Sequence, residues 1–563
     1  MRELEEVVYV RNLKVWYEDK QVLNNVNFSI KEGEMVLLIG PTGCGKSTLC
    51  LTLTGIIPHR LARSKAEGEV IVDNINVLKE DLSEISKHIT MVFQNPDEQL
   101  TSLYVEDEVA FGAENLKLPS EEVKKRVDEA LKFVGLDQFR EKIVYDLSGG
   151  QKQRLAIAAA LAMRPKVLIL DSPISNLDPI GASEILSVIN KLRKKYRLTT
   201  LIVEHKVDEL MPMVDKLIVM NARGEIILTG EPKDVIGKHG KYLREKLGLW
   251  IPQISELFLK VKEDVERYVP LTIDEALKLP LSRLKIKPVL ETKVKHYKEK
   301  PLIVIDNVTF IYPDGTVALR NVSTSIYPGE FVAIVGQNGS GKTTLAYNII
   351  GVLKPTYGRI IVDGMDTKET PIDKIARRIG YVFQYPEHQF ITEKVYDEVA
   401  FELRKLGLKG EELDRRVKEV LKRLNMLDVA ESHPYNLSLG QKRLLSAALM
   451  TLTNPKAIIL DEPTYGQDAR HVYQLMNFAE ELHERGCAII MITHDMRLVA
   501  EYAERVVAMS FGKIVYDGDP RKFFEEEELL RKIALAPPPI TQWSIRAHKA
   551  PILTLEEFFK ALT

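Results

Sequence analysis

The chain has 563 residues, too many for one hydrophobic core and enough for two or more domains. Hydrophobic residues make up 45% of it, and 78 basic against 80 acidic side chains leave a formal net charge of −2, which gives no electrostatic case for nucleic acid as the main ligand. Three scattered cysteines, Cys44, Cys50 and Cys487, form no CxxC pair and no metal-ligand spacing, and they suit a reducing compartment. The opening stretch MRELEEVVYVRNLKV is too charged for a signal peptide, and no apolar run approaches the ~18 residues of a spanning helix. Any membrane role is therefore expected to come through a partner.

In chain order, Tyr17 lies in VWYEDK, and the apolar strand MVLLI then runs into GPTGCGKS (residues 40–47) and a helical stretch. This fits GxxxxGK[ST] in the strand–loop–helix context that the motif requires. Gly40, Gly43 and Gly45 would let backbone amides curl round phosphates, with Pro41, Thr42 and Cys44 in the variable places. Lys46 would reach the β/γ-phosphates and Ser47 would ligate magnesium. Gln94 follows a strand in FQNPDEQL. Ser148, Gly149, Gly150 and Gln151, in LSGGQ, open an alanine-rich helix whose paired glycines permit a phosphate to approach the backbone. KVLILD reads as a central parallel strand ending at Asp171, placed to hold magnesium through its waters. Taken alone, it could equally be a buried strand with a capping aspartate. Ser172 follows, where such sites usually carry a carboxylate that activates water. TLIVEH ends at His205, and an isolated histidine after a strand would ordinarily be a satisfied core residue.

The chain then repeats itself at an offset of about 290 residues. GQNGSGKT supplies Gly336, Gln337, Asn338, Gly339, Ser340, Gly341, Lys342 and Thr343; FQYPEHQF supplies Gln384; LSLGQ supplies Ser438, Gly440 and Gln441; KAIILD ends at Asp461; and IIMITH ends at His494. Two homologous domains are expected at residues 1–240 and 301–535, with an appendix and linker at 241–300 and a second appendix at 536–563. IPQISELFLKV with LTIDEAL is faintly echoed by PPPITQW with LTLEEFF. Chance similarity, or simple amphipathic helices, would also account for that echo.

The two phosphate loops with the LSGGQ-type segments resemble a pair of ATP-binding-cassette (ABC) ATPase domains in one chain, nearly end to end. The resemblance implies an α/β fold: two P-loop domains, each a mixed sheet core with a helical signature subdomain, paired head to tail. It implies ATP and Mg2+ as cofactors, each ATP lying between one domain's phosphate loop and the other's signature. Tyr17 and Tyr312 match the aromatic that stacks on adenine, although an isolated tyrosine can simply pack. Gln94 and Gln384 match the glutamine that reaches magnesium and water; His205 and His494 match the histidine on the γ-phosphate. With Ser47, Thr343, Asp171 and Asp461, these glutamines form the expected magnesium set, and Glu462, Gln384 and His494 the expected catalytic set.

Two departures from the pattern fall in one implied composite site. Ser172 replaces the catalytic glutamate that the second half keeps as Glu462, and Leu439 replaces the glycine that the first half has as Gly149. Pairing head to tail puts Ser172 opposite Leu439, and Glu462 opposite the intact LSGGQ. The expectation is one hydrolytic site and one site that mainly binds ATP; tolerated drift at Ser172 is the other reading. The shared F-Q-x-P-[DE]-x-Q with DEVAF is similar to the ATPases of energy-coupling factor (ECF) importers of vitamins and transition metals. That likeness implies a peripheral place on the cytoplasmic face of the cell membrane, with an integral scaffold and a substrate-binding membrane subunit as partners. Asp97 and Glu387, three residues after each glutamine, are expected either to meet scaffold arginines or merely to cap a loop. The alternative is a twin-ABC factor on ribosomes or nucleic acid, whose iron–sulfur, zinc-ligand or long helical insertions are not evident here.

Overall fold

The runs MVLLI, VLILD and TTLIV are buried at every position, the pattern of strands covered on both faces. In the computed structural model, which describes residues 5–175, 177, 179–261, 268–284, 286 and 299–562, they form the centre of a six-stranded sheet. Its order is Ile226–Gly230, Lys216–Met220, Met35–Ile39, Thr199–Val203, Val167–Asp171, Ile89–Val92, with only the first pair antiparallel. The second half builds the same sheet from Ile379–Val382, Ala457–Asp461, Ala488–Ile492, Phe331–Val335, Arg505–Ser510 and Lys513–Gly518. Each half adds a four-stranded antiparallel sheet, led by Glu6–Tyr17 in one and Ile303–Ile311 in the other. The chain divides into two units, Met1–Ala276 and Leu277–Thr563.

Each unit carries a helical layer. In the second, Val395–Lys405, Gly410–Arg423 and Leu439–Thr451 share a core that includes Val399, Leu403, Val417, Leu421 and Leu445. The Gly410–Arg423 sequence is strongly amphipathic, and its buried residues Leu413, Val417 and Leu421 recur four apart. Among the described residues no helix is long and apolar enough to cross a membrane.

The appendices repeat at the level of individual hydrogen bonds. In the first, Ser255 Oγ donates to the Pro270 carbonyl, Leu271 N–H to Glu275, and Glu275 N–H to Thr272 Oγ1. In the second, Thr541 Oγ1 donates to the Ile552 carbonyl, Leu553 N–H to Glu557, and Glu557 N–H to Thr554 Oγ1. Glu275 is paired with Lys233 and Glu557 with Arg521. The faint sequence echo is thus the same hydroxyl lock and the same Thr-x-x-Glu helix start. The boundary between the units falls inside residues 241–300. Pro280–Arg283 belongs to the second unit, where Ser282 accepts a bond from the buried Trp543 indole at 2.9 Å.

Candidate functional site

Both phosphate loops join a buried strand to a helix, Lys46–Leu53 or Lys342–Ile349. Gly45 and Gly341 each hold φ of 101°, which costs a residue with a Cβ. Space forbids a side chain as well: a Cβ on Gly40 would stand 2.8 Å from the Met220 carbonyl, and one on Gly341 2.6 Å from that of Ala318. Pro41, Cys44, Gly336 and Ser340 are buried in the loop, while Gly43, Asn338 and Gly339 face solvent and Thr42 and Gln337 are half-buried. The lysines fold back into the loops. Lys46 Nζ donates to the carbonyls of Gly40 (2.8 Å) and Pro41 (2.9 Å), Lys342 Nζ to those of Gly336 (2.7 Å) and Gln337 (3.0 Å). Each loop therefore wraps a buried ammonium, an arrangement made for an anion. Tyr17 and Tyr312 stand at the same helices, their hydroxyls 3.4 Å and 3.0 Å from Thr48 and Thr344.

The aspartates end their strands within the sheets and are both buried. Burial raises the Asp171 carboxyl, against the opposing pull of a hydrogen bond from Ser47 and the charge of Lys46. Asp461 is pushed up to about 6, again chiefly by burial; Tyr381 donates to its Oδ2 at 2.6 Å and so lowers it in part. Its Oδ1 is buried with no hydrogen-bond partner among the described residues. An orphaned carboxylate oxygen held at a raised pKa fits a cation, and the hydroxyls of Ser47 and Thr343 lie exposed at the loop ends. The residues present therefore fit Mg2+ with a nucleotide phosphate.

Beyond each aspartate the backbone is the same and the side chain differs. Ser172 and Glu462 hold φ of 50° and 49°, a strained region for residues with a Cβ. Their N–H groups donate to Val203 (2.7 Å) and Ile492 (2.9 Å). In the second unit Glu462 meets His494 Nδ1 at 3.0 Å and accepts from Thr493 Oγ1 at 3.4 Å. In the first, Ser172 Oγ turns back to Asp171 Oδ1 at 3.2 Å. A carboxylate does stand near, from a residue the motifs did not single out. Glu204 takes the place of Thr493, is fully buried, and accepts from the N–H groups of His205 (2.7 Å) and Ile174 (3.3 Å). Its only signal was EH where the other half reads TH.

Burial pushes Glu204 up to about 7, against 4.5 for a free glutamate. The folded state then holds a proton that the unfolded state has released, so stability should fall as pH rises from 4.5 to about 7. Replacing Glu204 by Gln should flatten that slope in thermal unfolding, whatever the constant offset. An unchanged slope would contradict the assignment.

The signature residues open helices Gly149–Ala162 and Leu439–Thr451. Ser148 and Ser438 are the caps, each in a reciprocal capping box with Gln151 or Gln441. The second glycine is a packing requirement, since a Cβ on Gly440 would run into the His471 ring and one on Gly150 would lie 3.1 Å from Gly181. The first is not: among the described residues a Cβ on Gly149 would meet only Leu177, at 3.8 Å. Leu439 is therefore accommodated by its own unit, and its effect must fall on what approaches the helix start. Gln94 and Gln384 are half-buried on loops braced by the rest of the motif. Gln99 bonds Phe93 N–H (3.0 Å) and the Met91 carbonyl; buried Glu108 and Glu398 each cap two amides just beyond the loop.

The ABC transporter family model matches residues 23–175 and 319–465, which hold both phosphate loops, both signatures and both aspartates. The chain belongs to the ABC transporter ATP-binding family. It is an ATPase of the tandem kind, with two such units in one polypeptide. It is 38% identical over 561 residues to a provisionally named ABC transporter ATP-binding protein of Caldanaerobacter subterraneus subsp. tengcongensis, covering 98% of each chain. It is 35% identical over 550 residues to a Bacillus subtilis protein named, again provisionally, HMP/thiamine import ATP-binding protein YkoD, covering 96% of this chain and 97% of that one. Among solved structures, cbiO1 of Clostridium perfringens, part of the ABC transporter complex cbiONQ, is 36% identical; the match covers 42% of this chain and 95% of that one, with a TM-score of 0.38.

Proposed function

We propose that this ABC ATPase is the energy-coupling subunit of an ECF-type importer, with a single hydrolytic composite site. Lys342, Asp461, Glu462 and His494 with Ser148 and Gly149 would form that site; Lys46, Asp171 and Ser172 with Ser438 and Leu439 would form a site that holds ATP. Bound Mg-ATP would supply the scissile phosphate and the charge neutralisation for its attack by water. Gln384 and Asp461 would hold the ion, and Glu462, oriented by His494, would take the proton from the attacking water.

The observation that carries the importer reading is a surface motif present in both units. Asp97 is paired with Lys152 at 2.6 Å and Glu387 with Lys442 at 2.8 Å, joining each glutamine loop to its own signature helix. Each lysine also stands over an exposed tyrosine, Tyr145 or Tyr435, at 5.4 Å and 5.9 Å. The lysines are largely covered, while the carboxylates stay open enough to take a second cation. A matching pair of acid–tyrosine surfaces suits a membrane scaffold that presents an arginine to each unit. The import function in YkoD's name agrees with this reading.

Reversing both acids, Asp97→Lys with Glu387→Lys, should uncouple uptake and release the membrane partner while ATP binding survives. Tyr145→Ala with Tyr435→Ala should weaken the same association at little folding cost, because both rings are exposed. The check is co-purification of membrane proteins with the tagged chain from gently solubilised cells, together with substrate uptake. Normal assembly and uptake in the doubly reversed chain would refute the docking.

A further inference from the structure

The two units differ at one more buried position, on the signature helix. Arg443 is 1% exposed there, five residues beyond Ser438. Its Nη1 donates to the backbone carbonyl of Glu462, and its Nη2 to that of Gln384 at 2.9 Å. One guanidinium thus ties together three segments: the signature helix, the strained turn that carries the carboxylate, and the glutamine loop. The rigid planar fork of arginine can serve two acceptors at once, which a lysine cannot do with the same geometry. Tyr465, in the loop after Glu462, lies 5.8 Å from the same group.

The first unit is built otherwise. Gln153 holds the matching place, 2% exposed, and its Nε2 has no hydrogen-bond partner among the described residues. The next residue, Arg154, donates instead to the Val134 carbonyl at 3.1 Å and pairs with Glu184. So the buried arginine bridge accompanies Glu462, and where the carboxylate has become Ser172 the bridge is absent.

We propose that Arg443 is a positioning residue for ATP hydrolysis: it sets the backbone of Glu462 and Gln384 from the signature helix, so that the aim of the carboxylate depends on how that helix is seated. This rests on reading Glu462 as the residue that activates water. The hydrogen bonds of Arg443 go to main-chain carbonyls, and its charge faces Glu462 and Asp461. Its loss should therefore leave the phosphate loop and ATP affinity alone and move the reacting groups by a fraction of an ångström to an ångström, a displacement that is costly to rate.

The test uses the purified full-length chain. Arg443→Gln copies the side chain that the first unit already buries at this place. Its kcat should fall roughly 10- to 100-fold, with KM for ATP and the amount of ATP bound at saturation within about threefold of wild type. Arg443→Lys keeps the charge and can restore one of the two bonds, so its kcat should lie between the two. A wild-type kcat in Arg443→Gln would overturn the proposal. So would a kcat loss that merely tracks lost ATP binding and a lowered unfolding temperature, since that is the mark of a packing role. Failure of the underlying reading shows separately, as normal turnover in Glu462→Gln.

Discussion

Glu462→Gln should cut steady-state ATP turnover by roughly 10²–10⁴-fold while ATP binding survives. Glutamine keeps the size and the hydrogen bond toward His494, which meets the carboxylate at 3.0 Å, but cannot take a proton from water. Trapped ATP should then hold the units closed. Ser172→Ala should change turnover far less, because it removes no base and, among the described residues, breaks only a bond to Asp171. The strained backbone at Ser172 already matches that at Glu462, so Ser172→Glu places a carboxylate on a turn shaped for one. In the proposed composite site Leu439 would still face it, so it should rescue little by itself. Ser172→Glu with Leu439→Gly repairs both departures and is the variant expected to gain turnover. Comparable losses in Ser172→Ala and Glu462→Gln would contradict the asymmetry.

Trp543→Ala should destabilise the second unit by about 3–5 kcal/mol. The ring is fully buried against Phe558 and His548, at centroid distances of 5.3 Å and 5.1 Å. Its N–H also donates to Ser282, so truncation leaves a cavity and removes that hydrogen bond. Trp543→Phe keeps most of the ring contacts and should cost less, about 1–2 kcal/mol for the lost hydrogen bond and the smaller ring. Denaturant unfolding of the full-length chain measures both. ATP affinity at low temperature should be nearly unchanged, since the ring packs against Phe558 and His548 of the appendix. A near-neutral Trp543→Ala would mean that the appendix contributes little to its unit.

What could be read in advance was what local backbone geometry demands. A phosphate loop needs glycine where φ is positive or where a carbonyl would lie under 3 Å from a Cβ, so Gly40, Gly45, Gly336 and Gly341 announce themselves. Buried parallel strands need unbroken apolar runs, and the aspartates at their ends stand out for that reason. The Thr-x-x-Glu starts of the appendix helices were legible as an echo because the hydrogen bonds themselves repeat. Tertiary contacts between distant segments were hidden. Nothing near Tyr381 says that its hydroxyl reaches Asp461, 80 residues on, and the first half has Met91 at that place. Arg443 and Gln153 differ by one letter in nearly identical helix starts, yet only one bridges the site. Glu204 read as an ordinary residue before a histidine, because burial and the amides around it are set by strands that meet only on folding. The attachment of Pro280–Arg283 to a tail 261 residues away was likewise beyond any local pattern.

The most direct test of a single hydrolytic site is the chemical identity of the nucleotide held after turnover. The wild-type chain is loaded with radiolabelled Mg-ATP, freed rapidly of unbound nucleotide, quenched with acid, and its ATP and ADP are counted. ATP and ADP in comparable amounts, with the ADP lost in Glu462→Gln and the ATP lost when Lys46 is replaced by Ala, is the expected result. Bound nucleotide found almost entirely as ADP, with both sites filled, would contradict it.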